Sequence, residues 1–235
     1  VTVNHIWKNL FGRGIVATPE NFGAQGERPS HPELLDFLAT EFVNQGWSRK
    51  QMIRLILTSA TYRQSSALRP DLVERDPLNL LLARQSRHRL EAEVVRDVFL
   101  AHSGLLNRKI GGPSIFPPLP SFVLAFGRNR SWPETTGPDL YRRGLYVHLR
   151  RNVPYPMLLT FDASDTSVAC FQRERSNSPL QALTLLNDPV FFECSTKFGE
   201  TLATTAGEID PRLQAGFTRA MSRPPTVTEL RALRQ

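Results

Sequence analysis

Residues 173–192 read RERSNSPLQALTLLNDPVFF and contain two helix starts within one short stretch. Ser178 and Gln181 stand three apart around Pro179, which is the spacing of a capping box with proline at the first helical position. Asp188 precedes another proline, and aspartate is a favoured N-cap residue. Two helices that begin so close together need a tight turn between them. The stretch therefore predicts a mainly helical fold.

The same helix-start pattern recurs along the chain. Ser30 with Glu33 predicts a helix to about residue 45, and Ser48 with Gln51 predicts a second helix after a short turn. These two form a predicted helical hairpin with Trp47 at its corner. Apolar residues at helical spacing predict the remaining helices of a multi-helix, bundle-like domain. They are expected at residues 1–12, 90–106, 156–161, 188–202, 211–221 and 227–235. The pair Asp76-Pro77 predicts the start of one more short helix, at 76–82.

Two regions depart from the helical pattern. Leu145, Val147 and Leu149 alternate with polar or aromatic residues, which predicts one small β element at 140–151. Residues 113–139 contain six of the chain's 18 prolines, so 111–139 is predicted to be a long irregular loop. We expect one helical domain over residues 1–235, with this loop as the place for any sub-boundary. Because both ends fall within helical patterns, we expect a fragment of a longer protein.

Charge and composition narrow the classes of function. The net charge is +7, and 25 of the 29 basic residues are arginine. They lie among carboxylates rather than in a basic tract, which favours internal ion pairs over nucleic-acid binding. No apolar run approaches the roughly 20 residues of a membrane span. Cys170 and Cys194 lack the spacing of a c-type haem or zinc motif, so we expect no metal or cofactor in this chain.

Charged residues cluster on the helix predicted at 90–106. Glu93 and Asp97 are four residues apart and share a helix face, with Arg89 and Arg96 in neighbouring turns. We expect these four residues to form a structural ion network. The alternative is a pair of carboxylates that divides acid and base roles, which requires that their environments differ.

A second charged cluster precedes Ser178 in a predicted polar loop, and Arg143 is expected to reach it from the predicted β element. Cys170 lies beside arginines in this cluster. We expect it to be buried and to pack as a small hydrophobic residue, and the alternative is a reactive thiolate. Arginine side chains bind carboxylates, phosphates and sulfates through paired donors. The candidate ligand-binding or interface residues are Arg143, Asp162, Asp165, Cys170, Arg173, Arg175 and Asn177.

Several long strings carry a family resemblance. They are VNHIW at 3–7 with FGRG at 11–14, GERPSHPELL at 26–35, SATYRQS at 59–65, RLEAE at 89–93 with RD at 96–97, GGP at 111–113, and the segment 173–192. On these strings the chain resembles the family called domain of unknown function 1553, over nearly its whole length.

The resemblance implies an exported setting for the chain. Modules of this family resemble the C-terminal part of large planctomycete-type proteins that also carry a cytochrome-c-like haem domain and a second uncharacterised domain. This implies the periplasm or cell envelope, with upstream domains of the same polypeptide as partners and haem c in one of them. No particular reaction is implied. We expect a scaffold or docking module, and the alternative is a contribution to an enzyme or binding site for acidic or sulfated polysaccharide.

Overall fold

The computed structural model describes residues 1–120, 123, 131–151, 154–164, 170, 172–205 and 207–234. Over these residues the chain is mainly helical, as the sequence predicts, and contains no sheet. The α-helices are α1 Thr2–Phe11, α2 Pro32–Asn44, α3 Arg49–Leu57, α4 Ala60–Arg63, α5 Ala92–Ser103, α6 Pro156–Thr160, α7 Pro179–Asn187, α8 Pro189–Ala203, α9 Ile209–Met221 and α10 Val227–Leu233. Short 3₁₀ helices lie at Pro70–Leu72, Gly137–Tyr141 and Gly144–Tyr146.

The chain forms two compact units, Val1–Arg89 and Leu90–Gln235. The division falls just before α5, so the described part of 111–139 belongs to the second unit. The expectation of one domain over 1–235 concerns folding behaviour and stays a prediction.

The first unit has an aromatic core on α1. Trp7 stacks on Phe11 with 4.1 Å between ring centroids, and the ring of Tyr62 meets Phe11 edge-on. Met52 of α3 is fully buried in the same cluster, together with apolar side chains of α2. Large aromatic rings remove much apolar area from water, and this burial is the main force that holds the short helices together.

A buried asparagine fixes the loop that follows α1. The Asn4 amide nitrogen donates to the Val16 carbonyl at 3.0 Å, and Asn4 Oδ1 accepts from the Val16 N–H at 2.9 Å. The helix ends at Gly12, whose φ of 82° is left-handed. A Cβ at Gly14 would lie 2.4 Å from the Val16 carbonyl oxygen, so the loop requires glycine there. These contacts give the string FGRG a local structural role.

The predicted hairpin is formed by α2 and α3. Trp47 lies at its corner with a left-handed φ of 61°, and its ring meets Phe42 edge-on at 5.4 Å. Ser48 is the N-cap residue of α3, and its hydroxyl accepts from the Gln51 N–H. This helix start lies where the sequence pattern places it.

The second unit is organised around α5, which packs against α6 and α8. Leu100 on α5 is fully buried with Val190 and Cys194 of α8. Closer to the start of α5, Ala92 joins a larger buried cluster that includes Tyr155. The helix therefore has one buried stripe, which leaves its remaining face available to charged residues.

The predicted β element at 140–151 is wrong. The segment contains short 3₁₀ turns and irregular backbone, and its pairing is limited to isolated parallel bridges. Leu145 is 70% exposed and Leu149 is 45% exposed, so of the three alternating residues only Val147 is buried. An alternating pattern predicts a strand only where one face is buried against a neighbour. The two bridges are Asn107 with Arg142 and Ile115 with Val147.

The short helix predicted at 76–82 is also wrong. The Asp76 carboxylate accepts from the N–H groups of Leu80 and Leu81. Asn79 and Leu82 have left-handed φ values of 55° and 54°. A left-handed residue does not continue a right-handed helix, so the Asp-Pro signal here stabilises a turn.

The first predicted capping box is replaced by another contact. The N-cap residue of α2 is His31, and the Ser30 hydroxyl donates to the Ile15 carbonyl at 3.2 Å. Glu33 lies in the first turn of α2, where a negative charge is favourable next to the unpaired N–H groups. A long-range partner has therefore displaced the local one.

Of the remaining helix starts, one lacks its predicted cap and two are capped by side chains. Ser178 is the N-cap residue of α7, but the structure gives its side chain no capping hydrogen bond, and Gln181 points inward with 3% exposure. Asp188 caps α8 by accepting from the Val190 N–H. Thr226 and Glu229 form a complete reciprocal box at α10.

Candidate functional site

The carboxylates at the start of α5 pair with the loop that precedes α7. Arg173 binds Glu93 through two hydrogen bonds, Nη1 to Oε2 at 2.6 Å and Nη2 to Oε1 at 3.0 Å. Glu91 lies 3.5 Å from the same guanidinium and 3.6 Å from that of Arg175. The hydrogen bond to Glu93 is the main cause that raises the pKa of Arg173 above its ordinary value. The structure thus joins two clusters that the sequence presents as separate.

Arg143 approaches the next turn of α5. Its Nε donates to Asp97 Oδ2 at 3.1 Å, and the Gly144 N–H donates to Asp97 Oδ1 at 2.6 Å. A Cβ at Gly144 would lie 2.7 Å from both Cα and the carbonyl oxygen of Glu93, so this backbone rests directly on the helix. We call Glu91, Glu93, Asp97, Arg143, Arg173 and Arg175 the α5 ion network.

Arg96 and Arg89 were also predicted to belong to this network. Arg96 is 1% exposed, and its Nη2 donates to the Leu140 carbonyl at 2.7 Å. Arg89 is the last residue of the first unit. The partner of Glu93 in the second unit is Arg173, which lies 80 residues away in the chain.

Asp162 anchors the loop before α7. Asp162 Oδ2 accepts from the Ser176 N–H at 2.7 Å, and the Ser176 hydroxyl lies 3.0 and 2.9 Å from the two carboxylate oxygens. Gln181 Nε2 donates to the Thr160 carbonyl at 3.0 Å. Asn177 is exposed beside this anchor. Asp162 and Gln181 therefore bind backbone and side-chain groups of the loop rather than presenting themselves to a ligand.

The two cysteines are free and occupy different environments. Cys170 is exposed, and its thiol donates to the Gln172 carbonyl at 3.2 Å. Cys194 is buried, and burial raises the pKa of its thiol. The interpretation as a buried small hydrophobic residue thus fits Cys194 rather than Cys170. Asp165, the remaining residue of the predicted loop cluster, lies outside the described residues.

Arg96 belongs to a buried polar cluster with Tyr155 and Asp188. The Tyr155 hydroxyl donates to Asp188 Oδ2 at 3.4 Å, while Asp188 Oδ1 accepts from the Val190 N–H at 2.9 Å. Burial raises the pKa of Tyr155 and of Asp188 and lowers that of Arg96. The positive charge of Arg96 opposes the shift at Asp188, because it favours the ionised carboxylate.

An open groove of about 300 Å³ lies beside this cluster, within the second unit. Tyr155 and Asp188 line it, together with Leu180 and Leu183 of α7 and Met157 of α6. Clefts of this size with mostly apolar walls and a few polar groups are typical of ligand sites. The groove is therefore a second candidate site, distinct from the α5 ion network.

Tyr155 and the groove were not predicted from the sequence. The sequence signal for Tyr155 is its place between Pro154 and Pro156, since two flanking prolines restrict the backbone there. Arg142 was also missed. It is fully buried, donates to the Pro113 carbonyl at 2.7 Å and to the Gly111 carbonyl, and stacks on the Tyr146 ring.

The described residues lack both a metal-binding cluster and a membrane-spanning helix. They contain no group of three or more histidine, cysteine, aspartate or glutamate side chains arranged to hold a metal ion. Among the described helices, none has the length and apolar character needed to cross a membrane.

The fold and the paired charges define a helical module whose second unit is tied to one central helix. The chain belongs to the family described as PSD1, protein of unknown function (DUF1553), whose family model matches residues 1–235. This match confirms the family resemblance seen in the sequence. No curated protein and no solved structure matches the chain.

Proposed function

We propose that the chain is a helical scaffold and docking module of an exported, haem-associated multidomain protein. Its partners are then upstream domains of the same polypeptide, in the periplasm or cell envelope, and haem c belongs to one of those domains. The observation that supports a structural role is the mutual pairing of the α5 ion network. The arginines that the sequence offers as anion ligands are bound to carboxylates of their own chain.

The α5 ion network is balanced in charge. Its three carboxylates face three guanidinium groups, so no excess positive charge is left for an anionic ligand. Recognition of a sulfate or carboxylate requires guanidinium donors that can form two parallel hydrogen bonds with it. Both Nη atoms of Arg173 already form such a pair with Glu93. This geometry favours a structural role over anion binding.

The network also connects three distant parts of the second unit. It joins the start of α5 to residues 143–144 and to residues 173–175. Ordering each irregular residue costs roughly 1–2 kcal/mol of backbone entropy, so loops held in advance lose less on binding a partner. Loops fixed in this way support a docking role.

The alternative function is a contribution to an enzyme or binding site for acidic or sulfated polysaccharide. One observation favours it. The side chain of Arg143 is 51% exposed and is paired with Asp97 through Nε, so a ligand in solvent can approach its guanidinium. Cys170 is exposed as well, and it lies in the same predicted loop cluster.

Stability and calorimetry distinguish the two functions. A scaffold role predicts that Glu93→Ala and Arg175→Ala lower the thermal midpoint, by about 2–4 °C for each kcal/mol lost. It also predicts no calorimetric binding of sulfated oligosaccharides. One-to-one binding that Arg143→Ala abolishes would establish the alternative instead.

Docking is tested in the full-length protein. Glu93→Ala is expected to speed proteolytic cleavage between this module and the upstream domains, because the loops that support the contact lose their anchor. Lys197→Ala, at an exposed ion pair on α8, is the control and is expected to leave cleavage unchanged. Equal cleavage rates in both variants would count against docking through these loops.

A further inference from the structure

The groove beside Tyr155 is lined in part by polar groups that accept hydrogen bonds. The Thr184 hydroxyl donates to the Leu180 carbonyl at 2.9 Å, so only the lone pairs of its oxygen remain. The Asn187 amide nitrogen donates to the Leu183 carbonyl at 2.8 Å, which turns this nitrogen toward its own helix and leaves Oδ1 on the other side. Both residues line the groove.

Asp188 completes this set of acceptors. Its carboxylate accepts from the Tyr155 hydroxyl and from the N–H groups of Val190 and Phe191. A carboxylate offers about four acceptor positions, so about one remains for a ligand. Arg96 acts on Asp188 from the buried side, but its Nη2 is bonded to the Leu140 carbonyl. The charge of Asp188 is therefore not cancelled by a direct hydrogen-bonded pair with Arg96.

The rest of the groove lining is apolar. Leu180 is 65% exposed and Leu183 is 53% exposed, and Met157 and four prolines continue the wall. None of the described lining residues is lysine or arginine. Apolar area that remains in water is a source of binding free energy, at roughly 25 cal/mol per Å² covered.

We propose that this groove binds a protonated amine or guanidinium group carried on an apolar stem. The cation lies at Asn187 and Asp188, and the stem lies along Leu180 and Leu183. Hydrogen bonds between a charged donor and a carboxylate are roughly twice as strong as neutral ones, which selects a cation over a neutral donor. A free arylalkylamine and a lysine or arginine side chain of a partner polypeptide share this chemistry.

Titration with three matched probes tests the chemistry. The probes are 2-phenylethylammonium, 2-phenylethanol and 3-phenylpropionate, and binding is followed by amide chemical shifts of the whole chain. We expect saturable binding of the ammonium probe, about tenfold weaker binding of the alcohol, and none of the carboxylate. Loss of one charge-assisted hydrogen bond, at about 1.4 kcal/mol, corresponds to that tenfold ratio.

Three variants locate the binding. Asp188→Asn keeps an N-cap residue and is expected to reduce ammonium affinity to that of the alcohol. Leu183→Trp fills the groove from an exposed position, so the chain still folds, and binding is expected to be lost. Leu186→Trp is the matched control, because Leu186 is 71% exposed and does not line the groove.

A blocked tripeptide, Leu-Lys-Leu, forms the second arm of the test. Tighter binding of the peptide than of the free amine assigns the cation to a partner polypeptide, and the reverse order assigns it to a small molecule. Equal binding of the ammonium and carboxylate probes would overturn the proposal. Unchanged binding in Leu183→Trp, or no saturable binding of either cation, would overturn it as well.

Discussion

Separation of Arg173 from Glu93 measures what the α5 ion network contributes to stability. Their side chains are 29% and 22% exposed, and two hydrogen bonds of 2.6 and 3.0 Å join them. Exposed ion pairs contribute about 0.2–1 kcal/mol, and hydrogen bonds to charged groups contribute about 1.5–3 kcal/mol. Because this pair is bidentate and partly screened by solvent, we expect a coupling free energy of about 1–1.5 kcal/mol, between these ranges.

A double-mutant cycle isolates this coupling. Arg173→Met, Glu93→Gln and the double variant are compared with the wild type by urea unfolding, and the non-additive part of the free energy of unfolding is the coupling. The same cycle at Lys197 and Glu200 is the control. That pair joins neighbouring turns of α8 at 2.9 Å with both side chains more than half exposed, and we expect about 0.2–0.5 kcal/mol. Equal couplings in the two cycles would refute the structural role of the network.

Four further substitutions test packing and charge. Gly144→Ala is expected to cost about 1–3 kcal/mol in urea unfolding, since the new Cβ meets the α5 backbone, while Gly199→Ala, in open space on a helix, is expected to stabilise by about 0.5–1 kcal/mol. Leu100→Ala, which empties a fully buried position, is expected to lower the free energy of unfolding by about 2–5 kcal/mol. Burial raises the pKa of Asp188 above 3.8, so the folded state holds this proton more tightly than the unfolded state. Wild type should therefore lose stability relative to Asp188→Asn as the pH rises above about 4, and a pH-independent difference would contradict this.

Local sequence patterns were sufficient to predict many of the helices. The hairpin of α2 and α3 followed from Ser48, Gln51 and apolar spacing, because these signals act within a few residues. The β element predicted at 140–151 is wrong for the opposite reason. Its alternating leucines suggested a buried strand face, but Leu145 is exposed and the backbone pairs only at isolated residues of the second unit. The residues of segment 140–151 do not indicate which distant part of the chain the segment will contact.

The candidate site also depends on long-range contacts that local sequence patterns do not indicate. Glu93 and Asp97 lie on one helix as predicted, but the arginines that bind them in the second unit are not their neighbours in sequence. Arg173 and Arg143 meet them across separations of 80 and 46 residues. Ser30 likewise bonds to Ile15 rather than to its own helix start. Long-range partners displaced local ones in each case, and only the fold determines which partners come within reach.

The side-chain Nε–H signals of the arginines provide the most direct test of the α5 ion network. Arg143 donates this proton to Asp97, and the guanidinium of Arg173 is bound to Glu93. During titration with a sulfated oligosaccharide, the structural role predicts that both signals stay at their starting positions in nitrogen–proton spectra. A saturable shift of either signal, removed by Arg143→Ala, would contradict that role and would show that the second unit recognises an anionic ligand.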